Sequence, residues 1–345
     1  MRVDLFDYDL PPELIAQHPA RPRDAARLLD MTGSVLADRT VRDLPTLLQP
    51  GDLLVVNDTR VIPSRLVGRR GTTRIEATLH KRLAPGRWAA FAKPAKRLRP
   101  DDVIAFAESL SARVLSRDGG EVVLDFNLDD ESLLKRLQAN GRMPLPPYIK
   151  RGGGADSSTD ATDYQTMFAA RDGAVATPTA SLHFTPLLLA KLDLRGVSRA
   201  TVTLHVGAGT FLPVTADDTD GHLMHTEWAE VGLKTVQAIT ETQAAGGRVI
   251  AAGTTRLRVL ESAARGGQLK PFSGETDLFI TPGFRFQVVD ILLTNFHLPR
   301  STLLMLVSAL AGRDVVLAAY EHAISDAYRF FSYGDACLMT RAHPR

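Results

Sequence analysis

The sequence of 345 residues has one cysteine, Cys337. No disulfide framework can form within the chain, and no zinc site built on cysteines is available. That usage fits a reducing compartment. A secretory start is also missing. MRVDLFDYDLPPELI carries charges and prolines where a signal peptide needs an apolar core. Long apolar runs are absent too: the longest lies between Leu303 and Gly312, far short of a bilayer span. Neither sign of charge dominates, with 41 Lys and Arg against 39 Asp and Glu, a net charge of +2. The average therefore does not mark a nucleic-acid binder, although an average can hide a local patch. These absences lead us to expect a soluble, cytoplasmic protein.

The apolar content is 44%, enough for a sizeable core and too high for a disordered chain. Length alone suggests two or three domains. Two segments depart from the mean. Between Arg60 and Arg99 stand 12 Lys or Arg and one acid, Glu76. Between Asp101 and Glu131 stand nine Asp or Glu and two Arg. The same region holds the short runs RIEATLHKRL, RWAAFAK, VIAFAE, ARVLS and EVVLDF, separated by turn signals at 85–86 and 118–120. Short strands at this spacing predict a small antiparallel sheet or barrel. DDESLLKRLQANG follows and predicts a helix capped by Asp129 or Asp130 and stopped by Gly141. RGGGADSSTDATD then reads as a mobile loop.

The remainder alternates strands with helices, an α/β pattern. DLLVVND, RATVTLHV, RVIAAG, TDLFI and VDILLTNF predict strands, several of them apolar throughout, as in a sheet buried on both faces. Helices are predicted around 186–194, 234–246, 256–265, 301–311 and 314–330. The expected fold is a mixed α/β domain, residues 1–61 and 150–345, interrupted by a small β-barrel domain over 62–149.

Single motifs leave the chemistry open. TVTLHVGAGTFLPV ends a predicted strand on Gly207 and Gly209. A dinucleotide loop needs a third glycine and a helix opening at once. Leu212 and Pro213 stand there instead. The glycines then serve a tight turn, or let a ligand approach the backbone. His222, His225 and Glu227 could ligate a metal, but the four-residue histidine spacing of zincins is missing. His183, His205 and His297 each fall at a predicted strand or loop edge. One such histidine defaults to the core; three in one half of the fold suggest a shared cleft. Thr254, Thr255, Arg256 and Glu261 follow a strand and a glycine. That arrangement suits an anion or polar ligand edge, and equally simple N-capping by a threonine. The basic block, with Trp88 and Phe91 among its charges, suits a nucleic-acid backbone, unless the acidic block neutralises it within one barrel.

Taken in order, the motifs resemble a known family. GDLLVVNDTRVIPSRL (51–66), GRMPLPPYI (141–149), YQTMFA (164–169), AVATPTASLHF (174–184), VTLHVGAGTFLPV (202–214), HTEWAEV (225–231), VIAAGTTRLRVLES (249–262), TPGFRF (281–286), LLTNFHLPRSTLLMLVSALAG (292–312) and YRFFSYGDACLM (328–339) are similar to the S-adenosylmethionine:tRNA ribosyltransferase-isomerases of queuosine biosynthesis. The resemblance runs from Met1 almost to the C-terminus. It implies an α/β domain with an inserted β-barrel. It also implies an activity. The ribosyl carbons of S-adenosylmethionine join 7-aminomethyl-7-deazaguanine at the tRNA wobble position and rearrange to an epoxycyclopentanediol. Adenine and methionine leave.

That chemistry needs a base of near-neutral pKa at the carbon beside the sulfonium, a carboxylate or aromatic face near the sulfonium, and a dry pocket. It requires neither a metal nor a redox cofactor, since S-adenosylmethionine is a consumed substrate. His183, His205, His297, Glu227 and Asp335 are the titratable residues inside the matching motifs. His205 and His297 are the preferred pair, with Glu227 or Asp335 near the sulfonium or the ribose hydroxyls. Phe331 and Tyr333 are expected to stack on adenine or the deazaguanine. Further substrate contacts are expected from Asn57, Arg60, Thr179, Gly207, Gly209, Thr210, Phe211, Thr254, Thr255, Glu261 and Asn295. The expected partners are a tRNA carrying the aminomethyl base and S-adenosylmethionine, bound by a monomer. The family commonly has alanine at Thr177, glycine at Ser181 and a basic residue at Asp163.

Overall fold

A computed structural model describes residues 1–151, 159–207, 214, 216–222, 224 and 226–343. The main body is a nine-stranded mixed sheet. Its strands run in the order Phe272–Thr276, Glu227–Val231, Ser198–Leu204, Leu53–Asn57, Val249–Ala252, Ile291–Asn295, Ala336–Thr340, Arg27–Met31 and Ala37–Thr40. The four strands Ser198–Leu204, Leu53–Asn57, Val249–Ala252 and Ile291–Asn295 are mutually parallel. Glu227–Val231 and Ala336–Thr340 run antiparallel to their neighbours in that group.

The parallel strands are central because they are apolar on both faces. Leu53, Val55 and Leu292 enter one core, while Leu54, Val56 and Leu293 enter the other. The helices Leu233–Ala244, Thr254–Ala263, Thr302–Ala311 and Arg313–Ser325 pack mainly on the first face, and Pro186–Leu194 packs on the second. No single helix among the described residues is long and apolar enough to cross a membrane. Thr302–Ala311 and Arg313–Ser325, apolar as a pair, bend by 114° at Gly312.

The second unit is a closed antiparallel barrel in the order Glu121–Asp125, Arg87–Lys93, Thr73–Ala84, Arg65–Arg70, Val103–Ala107 and Leu110–Asp118. Ile75, Ala77 and Leu79 alternate inward, as do Ala112 and Val114, and Val122 and Leu124. Gly86 adopts φ +67° in its hairpin, where a Cβ would lie 2.2 Å from the Leu128 carbonyl. The helix Asp130–Asn140 closes the barrel with Leu133 and Leu137. Asp129 caps it by accepting from the Ser132 N–H at 2.8 Å.

Two expectations fail. The run 276–280 is not a strand beyond Thr276; the edge strand is Phe272–Thr276, paired with Glu227–Val231. The last predicted helix stops at Ser325 rather than 330. Much of the loop read as mobile, 152–158, lies outside the described residues.

The basic block divides between both of its readings. Arg65 pairs with Glu76 at 2.7 Å, Arg70 with Asp102 at 2.7 Å, Arg87 with Asp125 at 3.0 Å, and Arg82 with Asp130. These charges are neutralised within the barrel and its helix. Arg69, Arg74, Lys93, Lys96, Arg97 and Arg99 are exposed and have no ion pair among the described residues. Arg69 and Arg74 stand directly opposite each other on adjacent strands.

Candidate active site

In an open α/β sheet, ligands bind beyond the carboxyl ends of the parallel strands. Here that edge gathers His205 to Gly207, Gly253 to Thr255, and Phe296 to Leu298. The antiparallel strands bring their starts to the same edge, contributing Glu227 and the segment Phe331 to Asp335.

Two cavities open there. The inner one, of about 70 Å3, is lined by Tyr148, Thr177, Thr179, Thr254, Thr255, Arg256, Asn295, His297 and Phe331. Phe331 takes φ +70°, and its ring lies 4.9 Å from that of Tyr148. The Tyr148 hydroxyl is 2.6 Å from Ser332 Oγ. The His297 ring sits 3.0 Å from Thr294 Oγ1 through Nε2. Its backbone N–H donates to the Tyr320 hydroxyl at 3.0 Å, and its carbonyl accepts from Tyr8. Burial lowers the His297 pKa to about 3, so the ring is neutral. Asn295 Nδ2 lies 3.2 Å from His183 Nε2 and points at the Gly334 and Asp335 carbonyls. Asn295 Oδ1 is buried with no partner.

The outer cavity, of about 920 Å3, separates the sheet edge from the barrel. His80, Lys81, Arg82 and Phe91 face it from the barrel; His205, Gly207, Glu227 and Trp228 face it from the sheet. Val206 lines both cavities, so they adjoin.

His205 is held tightly in this cleft. Nδ1 lies 2.8 Å from Thr59 Oγ1, and the ring stacks on Trp228 with centroids 5.2 Å apart. Gly173, at φ +144°, makes room: a Cβ there would come within 2.8 Å of the ring. Asn57 fixes the strand ends beneath, exchanging hydrogen bonds with the Leu204 N–H and carbonyl and accepting from Thr59 N–H. Burial, and then Arg171, lower the His205 pKa to about 4. Glu227 accepts from the Gly207 N–H at 3.0 Å and pairs with Arg258, both side chains being buried.

A family model for a queuosine biosynthesis protein matches residues 3–339. The chain belongs to that family. It is 58% identical over 344 residues to the S-adenosylmethionine:tRNA ribosyltransferase-isomerase of Rhodospirillum rubrum, covering 99% of each chain. It is 56% identical over 341 residues to the Zymomonas mobilis protein of the same name, covering 98% of this chain and 99% of the relative. The crystal structure of S-adenosylmethionine tRNA ribosyltransferase from Thermotoga maritima superposes with a TM-score of 0.56 at 39% identity. That match covers 97% of this chain and 99% of the other.

Within this queuosine-family site, the geometry separates the residues singled out from sequence. His297, Asn295, Thr179, Thr254, Thr255 and Phe331 meet in the inner cavity; His205, Gly207 and Glu227 meet in the outer one. Six others line neither. Asp335 accepts from the Arg27 and Arg329 N–H groups and from the Arg329 guanidinium, so its oxygens are occupied. Glu261 accepts from the N–H groups of Gln287, Val288 and Val289 and holds that turn. Burial raises its pKa. Asn57 spends its amide between strands, and Arg60 is exposed, donating to the Ala169 carbonyl. Tyr333 packs edge-on against Tyr164. His183 lies behind Asn295, its pKa lowered to about 4 by burial. Gly209, Thr210, Phe211 and His225 lie outside the described residues. The metal reading loses Glu227 to Arg258, and His222 packs on Phe279.

Asp163, Ser181 and Thr177 acquire partners or positions. Asp163 receives Arg21 at 2.9 Å. Ser181 Oγ accepts from Arg256 at 2.8 Å. The Thr177 hydroxyl is buried in the inner wall without a partner. The threonines do not cap their helix: Gly253 is the N-cap, and no side chain bonds to it. Thr59, Gly173, Trp228 and Arg258 were not singled out; each acts on a partner remote in sequence.

Proposed function

We propose that the protein is an S-adenosylmethionine:tRNA ribosyltransferase-isomerase. It moves the ribosyl carbons of S-adenosylmethionine onto the amine of 7-aminomethyl-7-deazaguanine at the tRNA wobble position, giving epoxyqueuosine-tRNA. The family match over residues 3–339 carries this reading. A small inner cavity opening into a wide cleft with basic and aromatic walls supports it.

In this reading the sulfonium lies near Val206, where the cavities meet, with the Phe331 and Tyr148 faces beside it. His205 Nε2, which has no hydrogen-bond partner among the described residues, removes the proton from the carbon beside the sulfonium; burial holds this base at a pKa of about 4, below the near-neutral value the step favours, so the adjacent sulfonium must supply the acidity. The sugar ring opens and adenine leaves, taking up a proton. The tRNA amine then bonds to the former sugar, and methionine departs as the epoxide closes. One proton is released overall. Glu227 and Arg258 hold the Gly207 turn rather than react. The deazaguanine enters the outer cleft against Trp228 and Phe91, an aromatic setting suited to an unstacked base. The unpaired barrel cations Arg69, Arg74, Lys96 and Arg97 carry the phosphate backbone, which relieves the repulsion between Arg69 and Arg74. The same reading makes residues 62–149 an inserted domain and the protein a cytoplasmic monomer. It needs no metal or redox cofactor.

The test is release of free adenine from S-adenosylmethionine in the presence of an anticodon stem-loop carrying the aminomethyl base. Adenine release that survives chelation is expected. No adenine above background overturns the proposal.

A further inference from the structure

Arg256 is among the largest fully buried side chains of the described residues. Among the described residues its guanidinium donates only to neutral oxygens, Thr255 Oγ1 at 3.0 Å and Ser181 Oγ at 2.8 Å, and its Nε has no partner. Among the described residues no carboxylate pairs with it. Burial alone lowers its pKa to about 9. The side chain folds back over Gly253, where a Cβ would lie 2.5 Å from Nη1. The guanidinium therefore sits at the start of the Thr254–Ala263 helix. No side chain caps that helix; the Arg256 N–H bonds back to the Gly253 carbonyl at 3.2 Å, and the Thr254 and Thr255 N–H groups have no acceptor among the described residues. A buried cation thus adjoins the positive end of a helix dipole, and no carboxylate among the described residues neutralises either. Both line the inner cavity, together with the unpartnered Thr177 hydroxyl.

We propose that the first turn of the Thr254–Ala263 helix, the Arg256 guanidinium and the Thr177 hydroxyl form a carboxylate subsite that takes the amino-acid tail of S-adenosylmethionine. The inference rests on the function proposed above. The inner cavity, about 70 Å3 against about 920 Å3 for the outer one, is the narrower of the two and suits the substrate's chain end. Asn295 Oδ1, buried and unpaired on the same cavity, is an acceptor for the α-ammonium group. The methionine half of the substrate is then anchored deeply while the sulfonium faces Val206 and the cleft.

The test is equilibrium binding of S-adenosylmethionine and of its decarboxylated analogue to the full-length protein. Loss of the carboxylate is expected to weaken binding to the wild type by roughly tenfold to a hundredfold, as for lost hydrogen bonds to a charged group. Arg256→Met should weaken S-adenosylmethionine to a similar extent, leave the analogue unchanged, and so abolish the discrimination. Arg256→Lys should restore part of it. Equal wild-type affinity for the two ligands overturns the subsite, whether or not the variants fold, and leaves the transferase reading intact. Equal weakening of both ligands by Arg256→Met in a folded variant also overturns it, since that marks a purely structural arginine. Absence of any S-adenosylmethionine binding removes the subsite and the transferase reading together.

Discussion

Thr59 Oγ1 lies 2.8 Å from Nδ1 of His205, and this contact decides which ring nitrogen remains for chemistry. Nδ1 is taken, so Nε2 serves the cleft. His205→Gln is expected to lower the rate of adenine release by about 10²- to 10⁴-fold, the range for loss of a general base, with S-adenosylmethionine affinity changed by less than about threefold. Thr59→Val should give a smaller loss in the same direction. Single-turnover kinetics on both variants separate this from a binding defect, and a wild-type rate for His205→Gln would remove His205 from the chemistry.

Gly173 tests the same ring from behind. Its φ of +144° and the 2.8 Å approach of a new Cβ to the imidazole leave no room for a side chain. Gly173→Ala should cost roughly 1–3 kcal/mol of stability and reduce turnover by shifting the ring. Thermal unfolding and adenine release together check it; a variant unchanged in both would mean that the ring has slack.

The buried histidines set an acid limit. His183 and His205 have folded pKa values of about 4 and His297 of about 3, below the ~6.5 of an unfolded histidine. The unfolded chain therefore binds more protons as pH falls. The stability from keeping these rings neutral is full above pH ~6.5 and is lost as pH falls towards about 4, on the order of 3 kcal/mol per histidine. Unfolding midpoints from pH 7 to 4.5 should fall, and less steeply for His297→Gln. Equal slopes would mean that this ring is not buried neutral.

Glu227 and Arg258 form a buried pair beneath the Gly207 turn. Removing one partner leaves a charge without water or counter-ion, so Glu227→Leu is expected to cost about 3–5 kcal/mol. Glu227→Leu with Arg258→Met should regain much of that stability and yet remain slow, since the Gly207 N–H has lost its acceptor. Denaturant unfolding of the two variants decides the first point and adenine release the second.

The barrel cations separate into two sets. Reversing Arg69, Arg74, Lys96 and Arg97 should weaken anticodon stem-loop binding and flatten its salt dependence, with S-adenosylmethionine binding intact. Arg65 and Arg70 already answer to Glu76 and Asp102, so their loss should tell mainly on barrel stability. Salt titrations of RNA affinity distinguish the sets; an unaltered slope in the fourfold variant would place the RNA elsewhere.

The barrel strands were legible because most alternate inside and outside between clear turn signals, as Glu121–Asp125 does after the glycines at 119 and 120. Phe272–Thr276 was not legible. FSGET carries little strand preference of its own and is a strand through its pairing with Glu227–Val231. The histidines at strand ends could be found because strand ends can be found. Asp335 and Glu261 resembled reactive acids because the donors that occupy them are mostly backbone N–H groups, which no residue type reveals. Arg256 was visible as a letter, but its lack of an acidic partner among the described residues became visible only once the chain was folded.

Ala336–Thr340 lies between Ile291–Asn295 and Arg27–Met31, although it is the final strand in the sequence. Phe331, a wall of the inner cavity, is carried on its approach. The inner pocket is therefore completed by a strand threaded between two segments that both precede it in the chain. Any change that loosens this strand from its two neighbours reaches the cavity wall as well.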